Sequence, residues 1–242
     1  PGLKFKEKEE IKLQKYNSPH HYNGRNGWKA DIIVNHITAG SYTSAINTFM
    51  NKSCEVSSHF IISKTGEVAQ MVELTDGAWG NGTTINNDKR DYRKATSRLV
   101  RERKTNANYF TYSIEHENAG GGELTPAQLK ASIEVHKFII SEAKRLYGID
   151  IPIDSDHIIG HCDVNPINKP NCPGANFPFA KILTALKGGP NYYEYAVQNG
   201  ESFWSIAAKL MGSGAKCSTL AAFNGLTTTS FIHQGQILKI PK

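Results

Sequence analysis

The stretch that decides the fold is KADIIVNHITAG, residues 29–40. Its first nine residues form a short apolar run rich in β-branched side chains, the pattern of a buried strand. Working outward, residues 58–63 (SHFIIS) and 67–72 (EVAQMV) flank Lys64-Thr65-Gly66, a hairpin signal in which glycine supplies the turn. Residues 112–117 (YSIEHE) give a further strand, ended by Gly120-Gly121-Gly122, and residues 157–161 (HIIGH) give one more. Between these two the sequence predicts a helix. Thr125 stands as N-cap, Pro126 fits the first helical position and Gln128 completes a capping box. Leu129, Ile133, Ile140 and Leu146 mark its apolar face, and Gly148 is its stop signal. A second helix is expected over residues 178–186. Strands and helices interleave, so the first 187 residues read as an α/β domain.

The chain has 242 residues, enough for one large domain or for a medium domain and a small one. Gly188-Gly189-Pro190-Asn191 is a breaker cluster, which places a linker at 188–192 between units 1–187 and 193–242. The small unit reads as a strand at 193–197, two short helices and a strand at 236–240. Trp204, Ile206, Leu210, Leu220 and Ile237 are its expected core. An apolar fraction of 39% excludes wholesale disorder, and four cysteines are too few for a disulfide scaffold. No apolar run reaches the length of a membrane span. The N-terminal PGLKFKEKEEIKLQKY lacks the apolar stretch of a secretory signal, so no signal peptide is visible. The formal charge is +6, and residues 88–104 (DKRDYRKATSRLVRERK) hold eight basic against three acidic residues. That segment reads either as a solvated charged surface or as a patch for a polyanion such as nucleic acid or an anionic wall polymer.

Three residues at element ends beside loops carry metal-ligand chemistry: His36 in NHITAG, His161 in GHCDVNP and Cys172 in NKPNCPG. Open zinc sites use three such ligands and a water. Cys162 follows His161 on what reads as a strand, where successive side chains oppose, so it is expected to be a buried thiol and not a ligand. Together with SHFIISKTGEVAQMV and the turn DGAWGNG, these motifs resemble, over roughly residues 15–187, the zinc-dependent N-acetylmuramoyl-L-alanine amidases. This type 2 amidase family includes phage lysins and peptidoglycan recognition proteins. The resemblance implies a mixed β-sheet flanked by helices and a zinc ion (Zn2+) on His36, His161 and Cys172. It also implies a general base on the central strand, which aligns with Glu115; Glu117 shares the strand face and remains an alternative. A family lysine stabilises the oxyanion two residues before the third ligand. Lys169 stands three before Cys172, a departure that leaves its role open. His59, Trp79 and Asn81 match positions that line the cleft or support the sheet.

The remaining stretch, with YAVQNGESFWSIA, LAAFNGL and IHQGQILKIP, resembles a LysM module, a βααβ unit that binds N-acetylglucosamine-containing glycan. Position by position, the resemblance implies a glycan groove made by Gly200, Glu201, Ser202 and Phe203 with Ile232, His233 and Gln234. Trp204 is expected in the core, and Cys217 faces inward from a helix. Both units thus point to bacterial peptidoglycan, with the muropeptide stem at one site and glycan at the other. No nucleic-acid module accompanies the basic segment, so nucleic acid is not an expected partner. The expected setting is the bacterial cell wall, reached by phage release or by secretion. Two rival readings use the same scaffold: a non-catalytic peptidoglycan receptor, and a zinc peptidase cutting within the stem peptide.

Overall fold

The computed structural model describes residues 13–189 and 192–241; most of the charged N-terminal stretch, and Pro190-Asn191 of the breaker cluster, lie outside the described residues. The chain divides into two compact units, residues 1–187 and 188–242. In the first, the strands are β1 (Leu13–Lys15), β2 (His21–Tyr22), β3 (Ile32–Ile37), β4 (Phe60–Ile62), β5 (Val68–Gln70), β6 (Gly77–Ala78), β7 (Thr111–His116) and β8 (Ile158–Gly160). The helices are α1 (Tyr42–Met50), α2 (Arg98–Arg103), α3 (Pro126–Tyr147), α4 (His161–Val164) and α5 (Phe179–Leu186). Six strands form one mixed sheet in the order β1-β5-β4-β7-β3-β8. The β4–β5 hairpin is antiparallel and every other neighbouring pair is parallel. Strands β2 and β6 pair separately as a short antiparallel ribbon. The mixed α/β sheet expected from the sequence is the one observed.

Strand alternation sorts the two faces. Ile33, Tyr112 and Ile114 join Phe60 and Ile62 against Ala131, Val135, Ile139 and Ala143 of α3. On the opposite face Ile32 and Val34 pack with Val100, Ala107, Phe110 and Ile159. The register sets Ile32 beside Thr111, Val34 beside Ser113 and His36 beside Glu115. By the period of two, this second face turns from aliphatic to ionisable at the carboxyl ends of β3 and β7. Parallel strands concentrate binding chemistry at that edge.

Helix α3 starts and stops where expected: Thr125 Oγ1 accepts from Gln128 N at 3.1 Å, and Gly148 ends it in the left-handed conformation. Two details differ from the sequence reading. Gln128 does not close a capping box, because its Nε2 donates to the carbonyls of Ile62 and Glu117, 3.1 Å each. The sheet-facing stripe is Ala131-Val135-Ile139-Ala143, while Leu129, Ile133, Ile140 and Leu146 are half-buried along its flanks.

The same helix carries a buried polar chain. His116 Nδ1 lies 3.0 Å from the His36 carbonyl, His116 Nε2 lies 2.8 Å from Ser132 Oγ, and His136 Nδ1 lies 2.7 Å from the Ser132 carbonyl. Burial pushes His116 down to about 3 and His136 to about 4, from an ordinary value of 6.5. Both rings are therefore neutral in the folded protein while their unfolded counterparts take up protons below about pH 6.5. Stability present above that pH is lost as pH falls toward 4, by up to about 1.4 kcal/mol per pH unit for each histidine. Melting temperature should decline over this window, and His136→Asn should flatten the slope. Identical slopes for the variant and the parent protein would count against this account.

The second unit pairs β9 (Tyr192–Ala196) antiparallel with β10 (Ile237–Pro241) around α6 (Phe203–Met211) and α7 (Cys217–Phe223), the expected βααβ order. Its core is Val197, Phe203, Ile206, Ala207, Leu220, Ala221, Leu238 and Ile240, with Leu210 and Cys217 packed at the margin. Two expected core residues are outside: Trp204 is 61% exposed and Ile237 is 55% exposed. Ser202 caps α6, receiving Ser205 N at 3.2 Å. That cap fixes the helix phase so that Phe203 turns inward, and Trp204, about 100° further round, turns out onto the backbone of Gly214. On β10 the alternation puts Leu238 and Ile240 inside and Ile237 outside.

Candidate metal centre and catalytic cleft

Three segments distant in sequence meet at the carboxyl edge of the sheet. His36 comes from β3, and His161 from the chain leaving β8, the parallel neighbour of β3. Cys172 arrives on the following loop. Ligand atoms of these three residues all lie within 4.8 Å of one another, and the two imidazole centroids are 4.4 Å apart. His161 does not close a strand as expected. The strand ends at Gly160, whose N donates to Asp163 Oδ2 at 2.9 Å, and His161 opens the single turn of α4. Cys162 is outside the ligand group but half-buried, not a core thiol, because the helical turn swings it toward the surface.

The loop bearing Cys172 is fixed by backbone contacts. Cys162 N donates to the Cys172 carbonyl at 2.8 Å, and Cys172 N to the Lys169 carbonyl at 3.2 Å. A Cβ at Gly160 would stand 2.7 Å from Pro173 Cδ. One at Gly174, where φ is +107°, would stand 2.7 Å from Gly121 Cα. Only glycine permits this approach and this conformation.

The donor set fits a zinc ion. Burial, reinforced by the charge of Lys169, pushes His161 down to about 3, and burial together with the neighbouring His161 holds His36 well below the usual imidazole range. Both rings are thus neutral nitrogen donors. His36 Nε2 and Glu115 Oε2 are buried without a hydrogen-bond partner among the described residues. Burial, and then the charge of Glu115, push the Cys172 thiol up to about 12; a cation at the site reverses that preference and draws out the thiolate. Two neutral imidazoles and a thiol in mutual reach form a recognised zinc set with room for a fourth ligand.

Glu115 Oε1 lies 3.9 Å from His36 Nδ1, and burial raises its carboxyl to about 8, with Lys169 opposing. Glu117 sits elsewhere: its carboxylate accepts Lys64 N at 2.8 Å and so anchors the β4–β5 hairpin. Lys169 lines a cavity of about 580 Å³ beside His161. The extra residue between Lys169 and Cys172 is absorbed by a turn, which keeps the lysine at the cleft.

Of the three positions that matched the cleft or the sheet support, Trp79 lines this cavity. His59 and Asn81 are buried and hold the sheet. His59 Nδ1 accepts Ser113 N at 3.0 Å, and Asn81 Nδ2 donates to Thr111 Oγ1 and Ser113 Oγ, 2.9 Å each. Sequence reasoning missed Tyr22, Asn106, Asn108 and Arg90 in the cavity wall. Only Arg90 left a signal, as one charge within the basic segment.

In the second unit Gly200, Ser202, His233 and Gln234 are exposed and Ile232 is half-buried. Phe203 is 3% exposed and offers no face to a ligand, which corrects the groove expected from the sequence. The Glu201 carboxylate is engaged within the unit by Tyr195 Oη at 2.8 Å, Gln198 N at 2.9 Å and Lys209 Nζ at 3.0 Å.

Comparison with known proteins gives the family. Residues 26–175 match the N-acetylmuramoyl-L-alanine amidase family, and residues 195–241 match the LysM domain. N-acetylmuramoyl-L-alanine amidase A of Achromobacter lyticus is 28% identical over 175 residues, covering 66% of this chain and 85% of that protein. The 1,6-anhydro-N-acetylmuramyl-L-alanine amidase AmpD of Haemophilus influenzae is 28% identical over 132 residues, covering 54% and 59%. Among solved structures, the E. coli amidase AmiD with anhydro-N-acetylmuramic acid-L-Ala-D-gamma-Glu-L-Lys aligns at 25% identity and a TM-score of 0.48, over 68% of this chain and 60% of its own. With more than half of its length matched, the chain belongs to the N-acetylmuramoyl-L-alanine amidase family, and a LysM domain follows the amidase unit.

Proposed function

We propose that this peptidoglycan amidase cuts the bond between the lactyl group of N-acetylmuramic acid and L-alanine with zinc held by His36, His161 and Cys172. The observation that carries the reading is the convergence of two neutral imidazoles, a thiol and the raised carboxyl of Glu115 at one sheet edge. Zinc supplies Lewis acidity to the scissile carbonyl and the attacking water when bound there. Glu115 takes the water's proton and delivers it to the leaving nitrogen. Lys169 stabilises the developing oxyanion from the cleft wall. The complete ligand set disfavours the receptor reading, in which a ligand is lost. Digestion of purified wall, followed by mass spectrometry, tests the bond assignment. New amino termini at L-alanine are expected; new termini only inside the stem peptide would establish the peptidase reading instead.

The second unit anchors the enzyme to wall glycan, through a surface that includes Gly200, Ser202, His233 and Gln234. Each unit has its own core, so truncation after Lys187 should leave cleavage of a small soluble muropeptide within about twofold. Activity on intact wall should fall by about tenfold or more, because tethering raises the local substrate concentration. Equal wall binding by both forms at high salt would rule out the module as the main anchor.

A further inference from the structure

The turn that follows β6 carries a buried amide whose direction is fixed by its neighbours. Asn81, 1% exposed, donates from Nδ2 to Thr111 Oγ1 and to Ser113 Oγ, 2.9 Å each. The Thr111 hydroxyl spends its own hydrogen on the Ala107 carbonyl at 2.7 Å, so towards Asn81 it can only accept. A flipped amide would set two acceptors against each other. The amide nitrogen therefore faces β7, and Oδ1 faces away from those hydroxyls. The main chain of the turn is held as firmly. Asn81 N donates to Asn108 Oδ1 at 2.6 Å, and a Cβ at Gly80 would stand 2.8 Å from the Ser57 carbonyl.

Thr111, Ser113 and Glu115 share one face of β7, and the register sets Val34 beside Ser113 and His36 beside Glu115. Asn81 Oδ1 and His36 Nε2 are both buried without a hydrogen-bond partner among the described residues. Burial and then the neighbouring His161 favour the neutral His36 ring, and the Asn81 side chain pulls the other way, as a hydrogen-bond acceptor does. The other ring nitrogen, Nδ1, is the one that looks towards Glu115, 3.9 Å from Oε1.

We propose that Asn81 is a positioning residue for the metal centre: its Oδ1 receives Nε2–H of His36, which leaves Nδ1 as the donor to the ion. The inference rests on the zinc reading and names the nitrogen that serves it. A ligand imidazole whose second nitrogen donates to a fixed acceptor has its tautomer and its orientation set, and such partners are worth about 10–100-fold in metal affinity. The locked amide supplies that fixed acceptor.

The test uses the full chain with zinc alone as the probe. Three quantities are measured: Kd by competition with a chromogenic chelator, melting of the chelator-treated protein, and nitrogen NMR of isotope-labelled imidazoles in the zinc-loaded parent. The parent protein should show His36 protonated at Nε2 and metal-bound at Nδ1. Asn81→Ala should weaken zinc binding by about 10–100-fold. Asn81→Asp keeps the acceptor and gives up both donated bonds, so it should melt lower than the parent when metal-free yet bind zinc at least as tightly. Ser57→Ala removes the hydroxyl that receives Trp79 N at 2.9 Å in the same region, and should lower melting while leaving Kd unchanged. Zinc bound through Nε2 of His36, an Asn81→Ala Kd equal to the parent's, or equal weakening in Asn81→Ala and Asn81→Asp overturns the inference while the zinc reading stands. A parent protein that takes up no zinc overturns the zinc reading, and the inference with it.

Discussion

Glu115→Gln should retain its fold and its metal and lose on the order of 10²–10⁴-fold in kcat, the usual contribution of a general base. The substitution keeps the shape of the side chain and removes only its capacity to hold a proton. The native carboxyl lies largely buried, with Oε2 unpartnered and its titration displaced upward to about 8. A neutral amide costs less to bury there than a carboxylate, so the melting temperature should hold or rise. Glu117→Gln is the matched control. Its carboxylate meets Lys64 N, so the variant should soften the hairpin slightly and cleave at close to the parent rate. Inactivity of Glu117→Gln with an active Glu115→Gln would move the base one strand step along β7. The assay is turnover of a soluble muropeptide, beside metal content and thermal melting of each variant.

Removal of zinc should abolish turnover, and its return should restore it. Purified protein should carry about one zinc per chain, as three converging protein ligands require. Cys172→Ala should lose both metal and activity, whereas Cys162→Ala should keep both, because the Cys162 sulfur lies outside the ligand group. Binding to the folded state alone adds stability, so zinc should raise the melting temperature of the chelator-treated protein by several degrees, in proportion to the logarithm of free metal. Full turnover by protein shown to be metal-free would end the zinc reading.

Strand positions were legible because β3, β7 and β8 are buried on both faces and carry β-branched residues, with Ile32-Ile33-Val34 opening β3 and Ile158-Ile159 opening β8. The edge strand β1 was not: Leu13-Gln14-Lys15 is exposed and takes its conformation from pairing with Val68–Gln70. The candidate ligand positions lay in motifs, but the meeting of His36 with His161 depends on β8 pairing beside β3, which no local pattern encodes. Spacing also misled at Phe203 and Trp204. Both are aromatic and adjacent, and only the Ser202 cap decides which one a helix buries. The basic segment shows a further limit. Its composition left open a solvated charged surface and a polyanion patch, and the folded chain pairs Arg93, Arg98 and Arg103 with carboxylates as near as Asp91 and as remote as Asp31.

The contact of Gly174 with Gly121, main chain on main chain, bears on how the proposed zinc would be acquired. The two main chains approach so closely that a side chain at Gly174 would displace one of them. Together with the Gly160–Pro173 approach and the backbone bonds of Cys162 and Cys172, this packing positions the Cys172 segment without help from an ion. If zinc binds as proposed, it would meet a largely formed site and have little ordering entropy to offset, unlike small domains that fold around their ion. Loading becomes a matter of access and thiol deprotonation, faster at higher pH, and the emptied enzyme stays a folded protein that rearms on exposure to the metal.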